Sequence, residues 1–224
     1  MNFGGRRYVA GPVPGTRTEP NKQDVEEIAR VVKSASALAD IVIVSLHCHE
    51  GGANRSVPAD FIPIFAKAVI DAGADVFVGH GPHVLRGIEI YKGKPIFYSV
   101  GNFVFQNETV GFFPADAYER FDLDLKATPS DFLDARTNGG KKGHPSDPAY
   151  WENMFAVCEF AERKLKEIKI YPIDQGFGRP RPQRGRPMLA DGEVANRVIE
   201  RLIRLSARYG TKVLNRDGVG VIEL

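Results

Sequence analysis

Five histidines occur in the 224 residues, and four of them fall in two short clusters, His47-Cys48-His49-Glu50 and Gly79-His80-Gly81-Pro82-His83. Each cluster ends a short apolar run, DIVIVSL at 40–46 and ADVFVG at 74–79. Ligands in α/β sheets bind beyond the carboxyl ends of the strands. Two sequence-distant imidazole pairs are therefore expected on one rim of one sheet. Neutral imidazole is the commonest metal ligand and suits Zn, Mn or Fe. A lone histidine is more often a hydrogen-bonded structural residue than a ligand; the convergence of two pairs points to a metal or catalytic centre.

The neighbours sharpen that expectation. Gly79 and Gly81 allow a tight turn after the strand, and Pro82 stiffens it, so His80 and His83 can face one place. In extended backbone, positions i and i+2 share a face. His49 can thus join His47 on one ion, or support a ligand from behind it. Glu50 is open to three readings: general base, metal ligand or solvated loop acid. The alternation turns Cys48 to the other face, which predicts burial rather than a thiolate activated by flanking imidazolium groups. Arg86, three residues past His83, could meet an anionic substrate or lie as a strand-edge charge. Asn102, in YSVGNFVF, could hold a substrate, bind a metal through oxygen or cap a turn. His144 stands apart in a loop-like region.

These residues need elements to position them. Val25, Ile28, Val32, Ala35 and Leu38 fall at helical spacing after Asn21, a capping residue with Asp24 three positions on. The β-branched run at 40–46 reads as a buried strand, 60–72 as a helix stopped by Gly73, and 74–79 as a second strand. Strand, helix and strand with short connections imply a βαβ unit and parallel pairing. A hairpin follows over 86–99, turning at Lys92-Gly93. Residues 106–152 form an irregular insertion. A second hairpin is expected over 153–173, then an Arg/Pro/Gly strap over 176–187. Asp191 opens an amphipathic helix ended by Gly210, and a β tail turns at Asp217-Gly218. Residues 1–20 read as irregular, and 21–224 as a single domain carrying the insertion at about 106–152.

Composition excludes several classes. A formal charge of +2 with 26% charged and 43% hydrophobic residues is ordinary for a globular domain. The strap's arginines lack interleaved aromatics, so nucleic acid is not an expected partner. No run reaches the about 18 apolar residues of a membrane helix. The basic start lacks the apolar stretch of a signal peptide, so the chain as expressed is expected to be cytoplasmic. Two distant cysteines make no framework and are expected as free thiols.

The segments ADIVIVSLHCHEGG and AVIDAGADVFVGHGPHVLRGIEIYKGKPIFYSVGNFVF resemble the CapA family of capsule and poly-γ-glutamate synthesis proteins. IYPIDQGFGRPRPQRGRPMLA and IERLIRLSARYGT resemble its C-terminal part, so the likeness covers roughly 20–212. The resemblance implies the calcineurin-like metallophosphoesterase fold, an α/β/β/α sandwich of two sheets flanked by helices, and two metal ions. By position, His47 and His80 resemble ligands to one metal and His83 a ligand to the other. The sequence departs where family members carry Trp-Gly after the first histidine; here Cys48, His49 and Glu50 stand instead.

The superfamily's remaining ligands come from an N-terminal half, and this chain has no Gly-Asp, Asp-x-His or Asn-His. The resemblance therefore covers a sandwich lacking its N-terminal half. Neutral histidines alone do not offset two dications, so one ion at His47, His80 and His83 with an open position is expected. Half a sandwich exposes an apolar sheet face, which a second copy would cover, giving a homodimer or larger assembly. The implied activity is hydrolysis of an ester or amide, with phosphoester favoured over carboxylic ester or γ-glutamyl amide, on a small molecule or polymer. The alternative is a non-enzymatic subunit of polymer synthesis or export, or an inactive truncation.

Overall fold

The computed structural model describes residues 2–3, 6–124 and 126–224. Residues 1, 4 and 5 of the expected irregular segment lie outside these; within it, β1 (Asn2–Phe3) pairs antiparallel with β2 (Arg6–Arg7). Helix α1 (Lys22–Ser36) starts as its cap predicts, with the Asn21 side chain accepting the Gln23 N–H at 2.9 Å. Its apolar stripe is less covered than its spacing suggests. Val32 is buried, but Ile28 is 39% exposed and Leu38, beyond the helix end, 89%; among the described residues α1 meets the core through Val25, Val32 and Ala35.

Strand β3 (Ile43–His47) leads through α2 (Phe61–Asp71) to β4 (Val76–His80), and the two strands pair in parallel. The expected βαβ unit is present. The Asp60 side chain does not cap α2; the Phe61 N–H instead donates to Thr18 Oγ1 at 3.2 Å, a cap supplied from 43 residues away. Ile62, Phe65, Ala66, Val69 and Ile70 pack against Phe77, Ile96 and Tyr98 of the sheet. A large apolar side chain buried this way contributes roughly 1.5–3 kcal/mol. Strands β5 (Ile88–Tyr91) and β6 (Lys94–Phe97) form the first hairpin, with Lys92 and Gly93 at φ of 51° and 73° as a two-residue turn demands. The sheet order is β3-β4-β6-β5.

The insertion is more regular than expected. It holds α3 (Ala115–Glu119) and α4 (Pro129–Thr137) around a small core of Tyr118, Phe132 and Leu133. Thr128 and Asp131 form a capping box, a signal present in the sequence as Thr-x-x-Asp. The second sheet follows from the long hairpin β7 (Glu152–Ala161) and β8 (Lys164–Asp174), with β9 (Met188–Leu189) on β8. After α5 (Gly192–Ala207), β10 (Leu214–Arg216) and β11 (Val219–Glu223) complete the order β10-β11-β8-β7.

The two sheets and helices make an α/β sandwich. Helices α1 and α2 cover one face of the first sheet. Its other face, with Val76, Ile88 and Phe97, shares a core with Met154, Ile168 and Ile170 of the second sheet and Val198, Ile199 and Leu202 of α5. The two edges of the first sheet differ. At β5 the Ile88 and Ile90 N–H groups donate to Ser206 Oγ and Thr211 Oγ1, which closes that edge. At β3 no strand pairs with the outer edge among the described residues, and Ile43 is 63% exposed.

Candidate functional site

Parallel pairing sets His47 directly beside His80, at the carboxyl ends of β3 and β4. The glycines of the second cluster have steric causes. A Cβ on Gly79 would stand 2.4 Å from Tyr98 O, and one on Gly81, at φ of 115°, would stand 2.5 Å from Cys48 O. The turn therefore packs directly on the backbone that carries His47 and His49. His83 follows in the left-handed region at φ of 60°, a conformation that costs a non-glycine residue about 1–2 kcal/mol. Such strain persists only where surrounding contacts enforce it.

Those contacts produce a row of imidazoles. Ring centroids run from His47 to His49 at 5.1 Å, from His49 to His83 at 5.4 Å and from His83 to His144 at 5.2 Å. His144 joins from the insertion, which short-range sequence patterns do not reveal. The fold brings it in through the Trp151 indole, which donates to His144 O at 2.7 Å, and through edge contacts with Phe105 and Tyr150. Arg55, from the loop after His47, ties the insertion down. It donates to Tyr150 Oη at 2.6 Å, pairs with Asp147 and lies over the Tyr150 ring.

Asn102 fixes the tautomer of His83. Its Nδ2 donates to Tyr150 O at 2.9 Å and His83 O at 3.3 Å, so its Oδ1 is the atom facing His83 Nδ1, at 2.8 Å. That oxygen can only accept, so the proton sits on Nδ1 and the Nε2 lone pair of His83 is free. The amide is held in turn by a buried network. Asn153 Nδ2 donates to Tyr150 O and Gln175 Oε1, and Gln175 Nε2 donates to Phe103 O. These are positioning residues that no local motif marks.

Two expected site residues are engaged elsewhere. Glu50 accepts from the buried Cys48 Sγ at 2.8 Å, and this bond, before any other cause, keeps its carboxyl below the usual range. Cys48 is core, as its alternation predicts, and burial pushes its thiol up to about 11, which leaves no thiolate near neutrality. Arg86 is 1% exposed and donates to Arg55 O and Glu50 O at 3.0 and 2.8 Å. It holds the loop carrying Glu50 and Arg55 instead of facing solvent, because the strand edge it would occupy is interior.

The donor chemistry suits a borderline dication. Burial, and secondarily the His47 ring, hold His80 below the ordinary imidazole value. Burial, followed by His83, Arg136 and Arg55, presses His144 down to about 4. His47 Nε2 and His49 Nε2 face each other at 3.2 Å. Either a proton or a cation must stand between nitrogens at that spacing, and ligands at 2.0–2.1 Å around a tetrahedral ion lie about 3.3 Å apart. Among the described residues, however, no three His, Cys, Asp or Glu side chains converge closely enough to hold an ion as they stand. His80 also forms part of the wall of a cavity of about 520 Å³ between the sheets, with Ile43, Val78, Phe103, Phe155 and Cys158.

Residues 6–107 match the family described as bacterial capsule synthesis protein PGA_cap. An uncharacterized protein of Sinorhizobium fredii is 40% identical over 226 residues, covering 98% of this chain and 49% of the relative. The PGA biosynthesis protein CapA of Bacillus subtilis is 48% identical over 103 residues, covering 46% of this chain and 24% of its own. A probable polyglutamine synthesis accessory protein of Mycobacterium tuberculosis is 39% identical over 199 residues, covering 88% and 42%. The chain spans about half the length of the first of these relatives and less of the others.

Proposed function

The chain belongs to the CapA family of bacterial capsule synthesis proteins, and on that premise we propose that it serves capsule or poly-γ-glutamate synthesis as a metal-dependent hydrolase of an ester or amide bond. The observation that carries the reading is the row of imidazoles, with Asn102 leaving the Nε2 lone pair of His83 free beside the His47–His49 pair. In this reading His47, His80 and His83 hold one divalent ion, Zn, Mn or Fe. Bound there, the ion would acidify a water and polarise a phosphoryl or acyl oxygen. Asn102 keeps the His83 proton on Nδ1 throughout. His49 lies between two candidate ligands and is the proton acceptor, because Glu50 is bonded to Cys48. Arg55 presents a guanidinium that is 43% exposed in its side chain and steers an anionic substrate. Phosphoester is the favoured substrate, ahead of carboxylic ester and γ-glutamyl amide.

A second reading, a non-enzymatic subunit of polymer synthesis, is favoured by the absence of three converged donors among the described residues. The two readings part in one experiment. Protein loaded with Zn, Mn or Fe in turn is assayed on a generic phosphoester and a generic carboxylic ester, alongside His83→Ala and His80→Ala. Turnover lost in both variants supports the hydrolase. Wild type that turns over neither substrate with any of the three metals overturns it. A homodimer or larger assembly accompanies the proposal, supported by the open β3 edge and by Ile43 and Phe103, 63% and 58% exposed. A monomer in light scattering would count against that assembly.

A further inference from the structure

His144 belongs to two places at once. Besides ending the imidazole row, it forms part of the wall of a separate pocket of about 190 Å³ between α4, the insertion and the strap. Arg136, Lys142, Arg181 and Arg184 line the same pocket, with Glu108 as its one acid. Arg184 donates from Nε and Nη2 to Glu108 Oε1, at 3.0 and 2.6 Å, and its guanidinium lies 5.1 Å over the Trp151 ring. Arg181 pairs with Asp134. Two of the four cations are thus matched by two carboxylates. The side chains of Arg136 and Lys142 make no ion pair among the described residues. Arg136 also lies in the last turn of α4, where a cation offsets the helix dipole, but Lys142 is beyond the helix and has no such role.

We infer that this pocket binds an oxyanion, a carboxylate or phosphate group, and seats it against His144 at the end of the imidazole row. Uncompensated cations grouped at the mouth of one pocket favour an anion that displaces their counterions. Arg184, held by Glu108 and lying over the Trp151 ring, makes a fixed wall beside those two free cations. The strap, which the sequence marks only as a run of arginines, thereby has a purpose: Gly185 is pinned between Gln175 O and Phe105 N–H, which fixes Arg184 beside the pocket. The inference rests on the hydrolase reading for what the anion is held next to, but binding itself needs neither metal nor turnover.

Trp151 is the chain's single tryptophan and part of the pocket's wall, so its emission reports on the site. Inorganic phosphate and tricarballylate are titrated separately, with ionic strength matched by chloride. A saturable emission change is expected with at least one probe, and the tighter of the two names the oxyanion. In Arg136→Ala/Lys142→Ala, whose side chains are exposed, the apparent Kd should rise roughly tenfold or more while the chain still unfolds in one cooperative transition, its midpoint lowered only by the lost dipole contact of Arg136. His83→Ala should titrate as the wild type does even where it abolishes hydrolysis, so a failed pocket and a failed hydrolase are told apart. No saturable change with either probe, or an unaltered Kd in the double variant, would overturn the inference.

Discussion

Replacing Asn102 with alanine separates ligand orientation from simple stability. The side chain makes two good hydrogen bonds, to His83 Nδ1 at 2.8 Å and Tyr150 O at 2.9 Å, and a long one to His83 O at 3.3 Å. Net worth is about 0.5–1.5 kcal/mol per bond. Tyr150 O keeps a second donor in Asn153 Nδ2, so truncation does not orphan it. The expected loss of stability is about 2 kcal/mol, read from the shift of a urea unfolding curve. The effect on the site should be separate. Without Oδ1 nothing holds the proton on Nδ1, and loss of such a supporting contact costs roughly 10–100-fold in metal affinity. Zinc competition against a chromophoric chelator measures it. Asn102→Asp keeps an acceptor for Nδ1–H but sets a carboxylate against two carbonyl oxygens. It should be as unstable as the alanine variant yet bind zinc more tightly than it. Asn102→Ala with wild-type zinc affinity would refute the argument that this amide sets the tautomer of His83.

Three further outcomes follow from the geometry. Gly81→Ala should unfold the chain or destabilise it by more than about 3 kcal/mol, since its Cβ meets Cys48 O at 2.5 Å; Gly139→Ala, at φ of 63° in open space, should cost about 1 kcal/mol in the same denaturation assay. Cys48, with its thiol pushed up to about 11, should resist iodoacetamide at pH 8 in the folded protein, where about one thiol in a thousand is ionised, and react once urea unfolds it. His144 has a folded pKa of about 4, below the ordinary imidazole value near 6.5, so the unfolded chain binds its proton more readily. Its contribution is complete above pH 6.5 and is lost as pH falls to about 4, so His144→Gln should flatten the stability difference between pH 7 and pH 4.5.

The features that sequence made legible are local or periodic. The β-branched runs and the helix between them specify β3, α2 and β4, and parallel pairing then forces His47 and His80 to one rim. Alternation alone places Cys48 in the core. What stayed hidden depends on contacts between distant residues. His144 lies in a turn-rich stretch that points nowhere by itself, and reaches His83 through contacts with Trp151, Phe105 and Tyr150 and through Arg55, which bridges to Asp147 and Tyr150 from 92 and 95 residues away. Arg86 reads as a substrate-binding or strand-edge charge because nothing in its neighbourhood announces that two loop carbonyls will surround it. The stripe of α1 shows the converse: its spacing is correct, yet Ile28 is only partly covered and Leu38, just past the helix, is almost wholly exposed.

The central proposal is that His47, His80 and His83 hold a metal ion. It is tested most directly by elemental analysis of the purified chain after dialysis against zinc and then against metal-free buffer. About one zinc per chain is expected in the wild type and loss of that zinc in His83→Ala, while a Phe112→Ala control at an exposed insertion residue keeps it. Wild type that retains no zinc above the buffer level, or His83→Ala that retains as much as the wild type, would contradict it.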